Sequence, residues 1–283
     1  MITASESIDR CAAFYNDDAE AMRSYLKEGE KQALAMDNRG PIRFDQSRQL
    51  DATIRAAYSR YGFYVFTNVL GAAELADLEA DLVAMRQRFP AGPNSAVNAA
   101  GEPALGADCK ALTFVWSKPL GDPLGGTALA NGRHQVKMFE PEPAADAPIA
   151  APFILLGSLQ FSEACLRTYA HPELLRVAEA INGADFAPFN EALFIKDPGV
   201  GAAVSWHQDG VTHWHSEVFD EDVHGFNFMA QLHGSTAVNG VWVLPGTHKV
   251  GQLDIRQLVE ASGSERLQGA IPLVCNPGDV VIC

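Results

Sequence analysis

Six of the eight histidines lie between positions 207 and 248, and one of them sits in Trp206-His207-Gln208-Asp209-Gly210. In an extended strand, residues i and i+2 leave the chain on the same face, roughly 6.5 to 7 Å apart. His207 and Asp209 can therefore converge on one point while Gln208 turns away. An imidazole and a carboxylate at this spacing are two arms of a three-armed metal face. A second histidine from a distant strand would complete it. Two histidines and one carboxylate, with the remaining positions open, suit ferrous iron and dioxygen chemistry. The same five residues also fit a His–Asp pair in a surface turn, so the surrounding elements have to decide.

Those elements change in texture along the chain. Residues 1–40 are polar and helix-prone, with Glu20, Arg23, Lys27, Glu28 and Glu30 close together, and read as a solvated helical arm. Asp51 to Tyr61 reads as a helix, with Gly62 where a C-terminal cap falls. Phe63 to Phe66 reads as a strand. Leu75, Leu78, Leu82 and Met85 recur at helical spacing between acidic residues, which predicts an amphipathic helix over 72–89 packed on a sheet. Pro90 ends it, and a long Gly-, Ala-, Pro- and Asn-rich connection over 91–133 follows. Thr113 to Trp116, within that connection, is apolar enough to pack. Pro172 to Ile181 reads as a short helix closed by Asn182-Gly183. Beyond it come short β-type runs at 192–195, 203–206, 226–232, 241–244, 271–274 and 280–282, separated by Gly/Pro turns.

The turns near the His-x-Asp segment have an order of their own. Lys196-Asp197-Pro198-Gly199 precedes it. Asn239-Gly240, Leu244-Pro245-Gly246-Thr247-His248-Lys249 and Pro277-Gly278-Asp279-Val280-Val281 follow. With Tyr61-Gly62-Phe63-Tyr64-Val65 and the helix after it, this ordered set resembles the phytanoyl-CoA dioxygenase family of Fe(II)/2-oxoglutarate-dependent oxygenases over residues 50–283. The resemblance implies a mostly β fold with α: a double-stranded β-helix (jelly roll, cupin-like) with N-terminal helices packed on the outside. One oxygenase domain is expected over 1–283, made of the arm (1–40), a helix-rich part (41–183) and a jelly-roll core (184–283).

The resemblance also implies chemistry. His207 and Asp209 would hold Fe(II), and 2-oxoglutarate would be oxidised to succinate and CO2 as a small-molecule substrate is hydroxylated. A carboxylate at 209 favours hydroxylation, because related halogenases have a small residue there. The third ligand, a histidine, is expected beyond Cys283, followed by a basic residue for the far carboxylate of 2-oxoglutarate. A chain ending in the apolar strand at Cys283 would leave a sheet edge unpaired, so the core reads as incomplete at its C-terminus. The alternatives are His248 in the third position, a cupin-like metal enzyme that does not use 2-oxoglutarate, and a metal-free binding protein on the same barrel. Asn190 and Gln231 are candidates for cofactor contacts, and Gln208, His213 and Trp214 for lining the substrate site.

Composition bounds the rest. The chain has 283 residues, 47% of them apolar and 20% charged, which excludes disorder as the dominant state. Its net charge of −14 disfavours nucleic acid and anionic membranes as partners. No segment approaches the roughly 20 apolar residues of a membrane span, and no signal-peptide core can be drawn in the first twenty residues. Five scattered cysteines without a CxxC suit reduced thiols in a cytoplasm rather than a disulfide framework or a thiolate zinc site.

Overall fold

The computed structural model describes Glu6, Asp9 and residues 17–120, 143–201, 204–209 and 225–283. They pack as two compact units, each discontinuous in sequence. The first comprises Met1–Leu75, Pro172–Phe186 and Gln208–Cys283; the second comprises Ala76–His171 and Ala187–His207.

The first unit is built on a four-stranded sheet. Strand β1 (Arg39–Gly40) pairs in parallel with β2 (Tyr64–Phe66), β2 pairs antiparallel with β9 (Val280–Ile282), and β9 pairs antiparallel with β6 (Phe228–Ala230). All residues of β2 and β9 are buried. Their uninterrupted apolar runs have that cause: with both faces covered, no position is left for a polar side chain. Phe63, Val65, Ile271, Leu273 and Val281 form one core cluster with Ala33 and Cys275. A second, two-stranded sheet pairs β7 (Trp242–Val243) with β8 (Ile271–Pro272).

Helix α1 (Ala19–Ala35) is not solvated all round. Met22, Leu26, Gly29 and Ala33 form a buried stripe, with Met22 and Leu26 clustered on Ala237. Tyr25 stacks on Trp242 at 4.5 Å between ring centroids. The clustered charges occupy only the other faces of the helix, so the expectation of a solvated arm is corrected. Helix α2 (Ala52–Tyr61) begins where Asp51 accepts the Thr53 N–H at 2.8 Å, and it ends at Gly62 in the left-handed region, φ 82°. Helix α5 (Pro172–Asn182) buries Leu174, Val177 and Ala178. Helix α6 (Ile255–Ser262) runs between an Asp254 cap and Gly263.

The second unit holds a three-stranded antiparallel sheet, β3 (Phe114–Ser117), β4 (Ala151–Leu156) and β5 (Ala192–Phe194), with β4 in the middle. Burial alternates along β4, so one face is buried and the other half-buried. Its core gathers Met85, Leu105, Phe114, Leu155 and Ile195. Helix α3 (Ala72–Gln87), whose first turn is counted in the first unit, buries Leu82 and Met85 of the predicted stripe and leaves Leu75 and Leu78 half-buried. Asp81 on that helix accepts from the Ser162 hydroxyl at 2.7 Å and the Ala164 N–H at 3.2 Å. This fastens the start of α4 (Glu163–Tyr169). In the connection after Pro90, buried Asn98 accepts from the N–H groups of Ala100 and Glu102 and knits a compact turn. The part of that connection over 121–133 lies outside the described residues.

Helices hold more of the described chain than strands do. The expectation of a mostly β protein is therefore corrected to a mixed helix-and-strand one. Gly/Pro turns leave the apolar runs room for only two or three paired residues, whereas the N-terminal amphipathic stretches form complete helices. Among the described residues, no helix is long and apolar enough to cross a membrane.

Candidate metal centre

The candidate residues divide between the two units. In the second unit, His207 is half-buried, and its Nδ1 lies 2.8 Å from the carbonyl oxygen of Ser205. A carbonyl can only accept, so Nδ1 carries a proton in this contact, and in the neutral ring that leaves the lone pair on Nε2. That is the tautomer a metal-binding histidine needs, held by the kind of main-chain contact that orients such rings. Ser205 itself is buried.

Asn190 is exposed, two residues before β5. Its neighbour Glu191 accepts from the Ser158 hydroxyl at 2.7 Å. Lys196 is exposed. In the Lys196-Asp197-Pro198-Gly199 turn, the Asp197 carbonyl accepts from the N–H groups of Val200 and Gly201, and its carboxylate pairs with Arg86 on α3. This motif therefore positions backbone.

In the first unit, Asp209 is exposed in a bend. Gln208, half-buried, points its amide to a distant segment. Nε2 donates to the Gly251 carbonyl at 3.0 Å, and Oε1 accepts from the Leu253 N–H at 2.7 Å. Both ends of the amide thus bond main chain of the 251–253 segment. Gln231 is half-buried, with its side chain reaching back to the Met229 carbonyl at 3.5 Å. Its own N–H and C=O bond Asp279 and Gly278 respectively.

His248, the alternative third ligand, has a different assignment. Its Nε2 lies 3.1 Å from the Ser59 carbonyl in the last turn of α2. Its ring fills the space over Gly62, where a Cβ would collide with it. Gly246 N–H donates to the Tyr61 carbonyl at 3.0 Å. The Gly246-Thr247-His248-Lys249 turn is thus a C-terminal cap for α2, supplying donors to carbonyls that have no partner within the helix.

Asp279 is a feature that residue chemistry alone did not pick out. It is 1% exposed, yet each carboxylate oxygen is taken: Oδ1 by the Asn68 N–H at 3.0 Å and Oδ2 by the Asn276 N–H at 2.8 Å. Gly278, at φ 88°, accepts at its carbonyl from the N–H groups of Val69 and Leu70. The Pro-Gly-Asp turn therefore sews the exit of β2 to the entry of β9. A Pro-Gly-Asp directly before an apolar strand is the signal that could have found it.

His213 and Trp214 lie outside the described residues. Among the described residues, no group of three or more His, Cys, Asp or Glu side chains is gathered for a metal ion. His207 and Asp209 fit a ferrous ion in kind: an imidazole whose Nδ1 is taken by a main-chain carbonyl, and a carboxylate exposed in a bend.

The phytanoyl-CoA dioxygenase family model matches residues 58–283. The chain belongs to the phytanoyl-CoA dioxygenase family. The match covers most of the chain and contains the His-x-Asp segment, the helix-capping turn and the Pro-Gly-Asp turn, as the resemblance implied. Membership brings Fe(II)/2-oxoglutarate oxygenase chemistry as the general activity of the family. No curated protein matches the chain at a significant level.

Proposed function

We propose that this member of the family is an Fe(II)- and 2-oxoglutarate-dependent hydroxylase of a small molecule, consuming dioxygen and releasing succinate and CO2. The observation that carries the reading is His207, which lies inside the matched span with its Nδ1 proton fixed on a main-chain carbonyl and Nε2 as the donor nitrogen. His207 and Asp209 would be two protein ligands, and a histidine from outside residues 1–283 would be the third. Bound iron and 2-oxoglutarate would supply the oxidising power for breaking a substrate C–H bond. The chain's own part is to keep His207 in one tautomer, to present an anionic oxygen at 209, and to hold the segment between them still. Asn190 and Gln231 are proposed to contact 2-oxoglutarate, and His213 and Trp214 to face the substrate. The barrel carrying them is proposed to be the family's cupin-type double-stranded β-helix. A reducing, cytoplasmic setting is part of the reading, supported by the free thiols of Cys109, Cys165, Cys275 and Cys283.

The test uses the full gene product. Anaerobic Fe(II) with 2-oxoglutarate should give a weak visible charge-transfer band. His207→Ala and Asp209→Ala should abolish the band and succinate formation, with circular dichroism unchanged. Undiminished succinate formation in His207→Ala overturns the proposal.

A further inference from the structure

Gln208 lies between the two proposed metal ligands, and its amide is engaged at both ends by main chain 43 and 45 positions further on. We propose that Gln208 is a positioning residue that sets Asp209 for metal binding by clamping the His-x-Asp segment to residues 251–253; the inference rests on the iron reading above.

Three observations support it. The clamp is two-point: one donor and one acceptor of the same planar amide meet the Gly251 carbonyl and the Leu253 N–H. Two bonds from one planar group fix rotation as well as distance, which one bond does not. The clamped segment is itself anchored. Five residues before Leu253, His248 bonds Ser59 at the end of α2, and Gly246 N–H bonds the Tyr61 carbonyl. On its far side, Asp254 accepts from the Gln257 N–H and caps α6. Gln208 therefore ties the segment carrying Asp209 to a stretch held by the termini of two helices. Third, Gln208 is bonded directly to Asp209, so an amide held at both ends by residues 251–253 restrains the backbone from which the 209 carboxylate leaves.

Asp209 lies in an exposed bend immediately after the clamped residue. Loss of the clamp should act on metal affinity before it acts on stability. Contacts that orient a ligand rather than bind the metal typically carry about ten- to hundredfold in affinity.

The experiment titrates the full gene product with Mn2+ as probe, followed by electron paramagnetic resonance, in wild type, Gln208→Ala, Gln208→Glu, Leu253→Pro and the double variant Gln208→Ala/Leu253→Pro. Gln208→Glu keeps an acceptor for the Leu253 N–H but places a carboxylate against the Gly251 carbonyl. Leu253→Pro removes the same bond from the other end without touching the His-x-Asp segment. Expected are a fall of about tenfold or more in Mn2+ affinity for Gln208→Ala, a smaller fall for Gln208→Glu, and a fall for Leu253→Pro. The double variant should be no worse than the poorer single one. Thermal midpoints and circular dichroism report folding separately. Wild-type affinity in a folded Gln208→Ala overturns the positioning role and leaves the iron reading standing. Affinity losses that track the loss of folded protein across the series overturn it too. A wild type that binds no Mn2+, or binds it as well after His207→Ala, overturns the iron reading and the inference with it.

Discussion

The two larger sheets are buried in different ways. In the first unit, β2 and β9 lie side by side with every residue covered, and the turn that joins their ends is pinned by a buried carboxylate. In the second unit, the central β4 alternates between buried and half-buried positions, and the edge strand β5 leaves Phe194 62% exposed. One sheet is sealed and the other has an open face. The candidate ligands lie on neither ladder. His207 and Asp209 sit in irregular chain, and the bonds that hold the residues there run from side chain to main chain: His207 to Ser205, and Gln208 to 251–253. Sheets supply rigidity, while loops fixed by such bonds present the chemistry.

The sharpest way to break this contrast is Gly278→Ala. The glycine is in the left-handed region, and a Cβ there would run into the Leu70 carbonyl oxygen. A loss of about 3 kcal/mol or more is expected, read as a lowered denaturant midpoint. A loss below about 1 kcal/mol would show that the sealed sheet tolerates movement at its turn.

A smaller effect sharpens the comparison. Ile282→Ala on β9, 1% exposed in the native protein, should destabilise by about 2 to 3 kcal/mol. Phe194→Ser on β5 should stay within about 0.5 kcal/mol. Equal losses in the two variants would mean that β5 is covered in solution, and that the open face is not open.

The smallest effect concerns how α1 is docked in the sealed unit. Burial pushes the Tyr25 phenol up to about 12, with Arg266 opposing the shift slightly. Its hydroxyl donates to the Leu267 carbonyl at 3.2 Å. A raised value in the folded state means the stabilisation is complete below pH 10 and is lost as pH climbs from 10 towards 12. Thermal midpoints measured between pH 9 and 11.5 should fall less steeply in Tyr25→Phe than in wild type. Parallel slopes would remove Tyr25 from the docking of the helix.

What could be read in the residues followed from how local the cause was. Helix α2 was legible because Asp51 and Gly62, its two caps, flank it directly. Strands β2 and β9 were legible as unbroken apolar runs. Strand β4 was not, although it is the longest in the described chain. Pro152 argues against a central strand, and the structure admits it where the ladder shifts register between Val115 and Trp116. The buried stripe of α1 was hidden by the charges around it. His207 and Asp209 stood out by type and spacing. The tautomer of His207 did not, because the group that sets it is a main-chain carbonyl, which every residue carries. The task of Gln208 was out of reach for a similar reason: its partners are peptide groups more than forty positions on.

The pairing of β2 with β9 also has a cost in time. Asn68 and Asp279, which join across that turn, are 211 positions apart. At ribosomal speeds of roughly 5 to 20 residues per second, about 10 to 40 s separate the emergence of one from that of the other. Throughout that interval the edge of Tyr64–Phe66 that pairs with β9 has no partner strand, although the opposite edge can already pair with β1. A nascent chain of this design should depend on holding chaperones, and slower translation between the codons for Asn68 and Asp279 should lower the yield of folded protein.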